Sequence, residues 1–395
     1  MKKQKRLSPT DTLDRLLFRP IFGIPFFFAV LSLVVFLSFY GIGGRLADVL
    51  ETILFQIGES SARKLLQLGV SAFAVHYLID GIYAAIASAI AFLPQTLIFF
   101  LLVRVLDECA YLPRAILATD RFFRRFGLSG NAVIPLMLGC GCGASSVSVC
   151  PGHPDQNAVI RALPFVPCNA RLPVILFLAD SFFPTRKTFA VILIFALSFV
   201  LITLSLLFSA QSKSGDSPLI TELPDFRLPR LRILKKEVKE RSIEYLERAG
   251  TAVFFSSAVF SLLAMLTPSL HPTEHISQSI LYAGAVKAVA IFRPLGFDRP
   301  EAAAALFFGF FAKENIISVL GIMAQDDLYT LITPHAAIAF TAFCAFYTPC
   351  VFLLSAETKR SGISKAMILF FRTFAVAYLL SFILSIGSHI FLNNC

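Results

Sequence analysis

The chain has 395 residues, 56% of them hydrophobic and 15% charged, with a net charge of +10 and a mean hydropathy of +0.75. A soluble domain of this length has no interior large enough for so much apolar side chain, so a water-soluble enzyme is excluded. The basic residues sit in short loops between apolar runs, so the charge is not a nucleic-acid-binding signal either.

The N-terminal stretch MKKQKRLSP is basic, and residues 1–20 read as a cytoplasmic segment. The apolar run 21–40 follows without a clean small-residue cleavage site, so it is expected to be a retained span and not a removed signal. Residues 41–80 mix Arg45, Asp48, Glu51, Glu59 and Asp80 and suit the outer side, which makes 21–83 a first span plus an outer segment. The runs 84–103, 188–209, 249–267, 335–356 and 366–386 are each about 18 residues or longer and nearly uncharged, the requirement for a transmembrane helix. The short alternating strands of a membrane barrel are missing. Basic clusters at 104–125, 227–248 and Lys359, Arg360 and Lys365 mark further cytoplasmic loops. The expected fold is an all-α, polytopic membrane protein.

Counting crossings exposes a conflict. Between the cytoplasmic loops 104–125 and 210–248 lie three apolar stretches, 132–149, 157–183 and 188–209. Three full crossings would leave 210–248 on the wrong side, so one stretch must re-enter or break. The conflict recurs before 357–365, where 301–323 carries Lys313, Glu314 and Asn315 in mid-run. The chain therefore divides into two halves, 84–209 and 249–395, joined by a cytoplasmic linker at 210–248. Each half has an interrupted stretch followed by a Pro-Cys pair, Pro167-Cys168 and Pro349-Cys350. Paired discontinuous segments of this kind point to a transport site near the bilayer midplane.

The interruptions carry the chemistry. In LPFVPCNARLPV (163–174), helical prolines would strand the carbonyls of Ile160, Leu163 and Asn169. Hydrocarbon tolerates such backbone only where it is buried in protein or lines a wet cavity. Arg171 near the bilayer centre would add about 2.5–3.5 kcal/mol on insertion scales. An unwound stretch at 164–173 is expected to line a polar path, offering carbonyl oxygens and the Cys168 thiol as cation ligands, with Arg171 as a gating or capping charge. The alternative is a plain proline kink with Arg171 reaching the interface. In LGCGCGASSVSVCPG (138–152), Cys140 and Cys142 can share a site only if Gly139, Gly141 and Gly143 let the backbone extend; otherwise the glycines serve close helix packing. A third reading makes the two cysteines a redox couple. Glu314 is the candidate buried carboxylate, either a cation ligand, a partner of Arg171 or a partner of Lys313. FYTPCVFLLSAETKR (346–360) repeats the Pro-Cys device at Cys350. The six histidines are scattered and form no ligand pair. The eight cysteines lack the spacing of a secreted disulfide framework and are expected to be free thiols or ligands. Thiolates favour Cu(I) or Zn(II), and Fe(II) stands low in the affinity order, so the donor set does not select the metal.

At these stretches the sequence resembles the membrane region of the ferrous iron transport protein B family, with its paired Gate regions. LDRLLFRPIFGIPFFFAV (13–30) looks like the entry to that family's first span. DGIYAAIASAIAFLPQTLIFFLLVRVLDECAYLPRA (80–115), GLSGNAVIPLMLGCGCG (127–143) and PCNARLPV (167–174) are similar to its motifs. So, in the same order, are ERAGT (247–251), AKE (312–314) and TPCV (348–351). The resemblance implies Fe(II) as the transported ion, with no permanently bound cofactor. It places the family's cysteines at Cys142, Cys168 and Cys350 and its glutamate at Glu314. Asn169, Pro167, Pro349, Gly141, Gly143 and Arg171 fall in the gating backbone, and Cys140 is an additional thiol.

Two departures stand out. The residues after Cys142 are Gly143-Ala144-Ser145 where the family has Val-Pro-Ala, and CPGHPDQN (150–157) replaces its charged stretch. The sequence also has no Gly-Lys dipeptide, hence no P-loop of the GxxxxGK[ST] type. The chain is accordingly expected not to be an enzyme and not to hydrolyse GTP, with a separate small GTPase docking on its cytoplasmic face or none in use. The expected setting is the inner membrane, multi-pass, with the lipid bilayer as partner, no nucleic acid, and a homo-oligomer left open. The rival readings are a Gate-type carrier of another solute such as a nucleoside, and a membrane thiol oxidoreductase using Cys140 and Cys142.

Overall fold

The structure, a computed structural model, describes residues 20–150, 155–209, 224–273, 278–311, 313, 315–323, 328–347 and 349–393. Helices dominate it, and the pairing of Leu266 with Pro272 is the extent of β-bridging among the described residues. Among the described residues, four helical stretches are long and apolar enough to cross a membrane: Phe22–Gln67, Lys187–Ser209, Ala336–Ser361 and Ile363–Ser388. A fifth arises if Ile280–Leu295 and Pro300–Phe310, bent by 100°, count as one broken span. The chain is an all-α, polytopic membrane protein.

Two of the expected runs are not spans of their own. The run 84–103 is not one helix: Ala84–Ala91 and Leu93–Glu108 are separated by Phe92, two residues ahead of Pro94, which cannot continue the hydrogen-bond ladder. The run 249–267 has no separate start. It continues the 35-residue helix Leu231–Met265, so the charged stretch of the linker and the apolar run are one rod.

The chain folds as two compact units, each assembled from three separated segments. The first comprises residues 1–47, 93–166 and 201–244. Here helix Pro20–Phe39 packs on helices Leu93–Glu108 and Tyr111–Arg124, with the rings of Phe39 and Phe99 stacked 6.0 Å apart. Helix Tyr111–Arg124 is amphipathic. Tyr111, Leu112, Ala115, Ile116, Thr119 and Phe123 are buried, while Arg121 and Arg124 stand in its last turn, where they complement the helix dipole. Two carboxylates hold the following GLSGN turn. Asp120 Oδ1 accepts from the Gly130 amide at 2.9 Å, and Asp155 Oδ2 accepts from the Ser129 amide and hydroxyl, both at 2.7 Å. A Cβ on Gly130 would stand 2.4 Å from the Ile116 carbonyl oxygen, so the turn needs glycine. Part of the basic cluster is pinned in place: Arg114 donates to the carbonyls of Ala110 and Pro224 and lies 3.8 Å over the Phe226 ring.

The second unit comprises residues 48–92, 167–200 and 245–395. Its centre is helix Pro334–Phe346, which packs on Ile363–Asn393 and on Arg171–Phe182. Phe292, Phe297, Phe340, Phe343 and Phe374 meet edge to face around it. The apolar window of Ala336–Ser361 is 71% buried against 22% for Ile363–Ser388, so the first is enclosed by protein while the second turns most of its surface outward. The sharp bend before Pro300 was not anticipated. It turns at Gly296, whose φ of +86° suits glycine and whose missing Cβ would stand 2.9 Å from Ala336.

Candidate functional site: helix breaks and a buried cation

Each interruption expected from the sequence is a real break in a helix. Helix Val133–Gly141 ends and helix Gly143–Val149 begins around one extended residue, Cys142, at φ −147° and ψ 117°. Helix Gln156–Ala162 passes into a single 3₁₀ turn, Leu163–Phe165, and helical structure resumes only at Arg171. Helix Pro300–Phe311 gives way to Asn315–Met323 across Lys313. Helix Pro334–Phe346 and helix Val351–Ser361 are separated by residues 347–350, with Cys350 extended at ψ 157°. Cys142, Cys168 and Cys350 therefore all stand on irregular backbone. The first lies in one unit and the other two in the second.

The breaks satisfy their own backbone. The carbonyl of Cys142 accepts from Ser146 N at 3.1 Å, that of Lys313 from Ile316 N at 3.1 Å, and that of Cys350 from Leu354 N at 3.1 Å. The Cys168 carbonyl accepts from the amides of Arg171 and Leu172 at 3.0 and 3.3 Å. The expectation of stranded carbonyls is corrected at one of its three positions: Leu163 O is taken, by Val166 N at 3.1 Å. A carbonyl has a second lone pair, so some acceptor capacity remains. The unwound stretch is also shorter than expected. It spans 163–170, and Pro173 does not extend it, because in the first turn of helix Arg171–Phe182 its missing N–H would have had no partner anyway.

The glycine-rich stretch is corrected too. Only Cys142 is extended; Cys140 is helical, with its thiol 3.8 Å from the Leu136 carbonyl oxygen. A Cβ on Gly141 would lie 2.4 Å from the Phe99 ring, and one on Gly139 2.8 Å from the Leu163 side chain. These glycines serve close packing. Gly143 opens the following short helix. The described cysteines, Cys140 and Cys142 among them, are free thiols.

In the second unit the breaks gather charge. Arg171 is 5% exposed and Asn169 6%, so Arg171 is enclosed by protein and does not reach for the interface. Pro167 opens the four-residue non-helical link to Arg171, and Pro349 is buried beside Cys350. Lys313 is 2% exposed, and its ammonium lies 3.5 Å above the Tyr347 ring. It has no hydrogen-bond partner among the described residues. Arg171 and the thiols of Cys344, Cys350 and Cys168 are close enough to couple to it electrostatically. Burying an ammonium costs on the order of several kcal/mol, and a desolvated cation–π contact returns about 2 kcal/mol. Tyr347 is fixed by donating to Leu306 O at 2.6 Å, and Gly309 makes room for it, since a Cβ there would lie 2.7 Å from the Tyr347 hydroxyl.

Two of these residues were missed or misweighted from sequence. Cys344 sits in an ordinary-looking Phe-rich helix, and nothing but its six-residue distance from Cys350 marked it. Lys313 was read as an interruption and a partner for Glu314. Glu314 itself lies outside the described residues. Among the described residues no three His, Cys, Asp or Glu side chains converge into a ready-made metal site.

Helices broken at polar, thiol-bearing positions within a polytopic bundle define the class: a membrane protein whose core segments are discontinuous. A family model described as Gate, nucleoside recognition, matches residues 89–210 and again 246–365, and the chain belongs to that family. Over 97% of its length it is 30% identical to the Fe(2+) transporter FeoB of Staphylococcus aureus (strain COL), covering 60% of that protein. It is 29% identical over 80% of its length to the Fe(2+) transporter FeoB of Methanocaldococcus jannaschii, covering 50% of it. With that of Campylobacter jejuni it shares 28% identity over 98% of its length, covering 66%. The resemblance read from the motifs thus runs along nearly the whole chain, while the chain spans about 60% of the length of the first of these relatives. No solved structure matches it.

Proposed function

We propose that the chain carries a divalent metal ion, ferrous iron in particular, across the inner membrane along a path that passes Cys142, Cys168 and Cys350. The observation that carries this reading is that all three thiols stand on interrupted helix, where a span otherwise has no reason to break. The names of the relatives supply the cargo. The thiols act as transient ligands, binding weakly enough to let the ion leave, with Glu314 as a charge partner and Arg171 as the orienting charge. Movement of the breaks would open and close the path. Where transport is coupled to GTP, a GTPase docked at the cytoplasmic face would supply the hydrolysis.

The test is anaerobic uptake of Fe(II), Zn(II) and Mn(II) into proteoliposomes holding the full chain or its Cys168→Ser variant. The reading expects Fe(II) uptake that collapses in the variant. The description of the family model favours a second reading, a carrier of nucleosides. That reading expects nucleoside uptake that survives serine at all three cysteines, and no metal flux.

A further inference from the structure

Helix Arg171–Phe182 is followed, after the turn 183–186, by the membrane-length helix Lys187–Ser209. The first packs inward on helix Pro334–Phe346. The second turns outward: its apolar window is 22% buried, and Phe189, Ile192 and Phe195 are exposed. Between the two helices runs an open cleft of about 560 Å³, inside the range of about 300–1,000 Å³ typical of ligand pockets. Leu176 and Phe177 line one wall, and Val191 and Ile192 the other. Positions three and four apart share a helix face, so Asp180 and Lys187 open onto the same cleft as these apolar residues. Lys187 Nζ lies 2.9 Å from Asp180 Oδ1, with the two side chains 61% and 66% exposed. A pair this exposed does little for stability. An ammonium has three donors and a carboxylate about four acceptor sites, so one mutual contact leaves most of their capacity open. Lys187 is also the first residue of the apolar helix, the position where headgroups meet hydrocarbon.

We propose that this cleft binds one phospholipid whose headgroup carries both a phosphate and a primary amine, the chemistry of phosphatidylethanolamine. An acyl chain lies between Phe177 and Ile192. The phosphate accepts from the Lys187 ammonium, and the lipid's own ammonium donates to Asp180. Two opposite charges side by side on the protein thus meet two opposite charges on the lipid. That pattern selects the headgroup. The quaternary ammonium of phosphatidylcholine has no N–H to donate, and phosphatidylglycerol brings no cation for Asp180. A free phosphate or phosphoethanolamine would leave the apolar walls uncovered, which commits the site to the lipid. The site uses none of the cysteines, so the inference goes beyond the transport reading and stands or falls separately from it. Its consequence for the fold is local: helix Arg171–Phe182 begins at the break that carries Cys168, and the lipid would steady its other end.

The experiment is native mass spectrometry of the full chain in detergent, with equal amounts of dioleoyl phosphatidylethanolamine, phosphatidylcholine and phosphatidylglycerol added. The chain should retain the ethanolamine lipid about tenfold better than either of the others, the effect of one charge-assisted hydrogen bond. Lys187→Ala and Asp180→Ala should each abolish that preference. Both positions are exposed, so folding should survive, with thermal unfolding as the check. Val191→Trp, which fills the cleft, should lower retention of the ethanolamine lipid whatever the state of the ion pair. Equal retention of the three lipids by wild type, or a preference that persists in both alanine variants, overturns the proposal. So does displacement of the lipid by phosphoethanolamine in large excess, which would give the site to the free headgroup. A lipid-free dimer that Val191→Trp dissociates would give the cleft to a second copy of the chain and overturn it as well.

Discussion

The break at Cys142 and the breaks at Cys168, Lys313 and Cys350 use the same backbone device for different ends. In each, an irregular residue offers its carbonyl to the helix that follows. Around Cys142 the neighbours are glycines fitted against Phe99, Leu163 and Val166, so the constraint is steric. In the second unit the breaks hold a buried lysine and a buried arginine, so the constraint is electrostatic. A broken helix in a membrane protein is therefore not by itself an ion site; what the break gathers decides its use.

The largest effects separate the two kinds. Cys168→Ser and Cys350→Ser should each lower Fe(II) uptake by at least about tenfold, a loss of roughly 1.4 kcal/mol or more in ligand energy, with little change in melting temperature. Uptake assays paired with thermal unfolding check both halves of that statement. Gly141→Val should do the reverse. Its side chain would enter the space of the fully buried Phe99 ring, and overpacking of this kind costs about 1–3 kcal/mol. The melting temperature should fall, and Phe99→Leu in the same chain should restore part of it. Next comes Tyr347→Phe, which keeps the ring beneath Lys313 and deletes the hydrogen bond to Leu306 O. It should cost about 1 kcal/mol of stability, where Tyr347→Leu, losing the ring as well, should cost more. The smallest effect belongs to the first unit's surface. The Lys236–Glu240 pair is 3.7 Å apart with both side chains exposed, so Lys236→Ala should change stability by about 0–1 kcal/mol, and less at high salt.

Much of this was legible in the sequence because membranes punish irregular backbone so severely. Pro164 and Pro167, the Lys-Glu-Asn triplet at 313–315 and Pro349 each mark a break that the structure contains, and the crossing-parity argument called for breaks in both halves. Local hydrogen-bond closure was not legible. Whether a stranded carbonyl is taken up by a 3₁₀ turn or a following helix depends on a few degrees of backbone rotation, and proline positions do not report that. Pro173 shows the limit from the other side, since a proline three residues into a helix breaks nothing. The bend at Gly296 was signalled by RPLGFDRP (293–300), two prolines around a glycine, but the run was read by its hydropathy alone. Cys344 and the cradle of Lys313 arise from packing between segments distant in sequence, which no local pattern encodes.

The most direct test of the central claim is X-ray absorption at the iron edge on the anaerobically Fe(II)-loaded full chain in nanodiscs. The account predicts sulfur among the atoms bound to iron, lost when Cys168 and Cys350 are changed together to serine. An iron bound only by oxygen and nitrogen in the wild-type chain, or sulfur ligation that persists in the double variant, would contradict it.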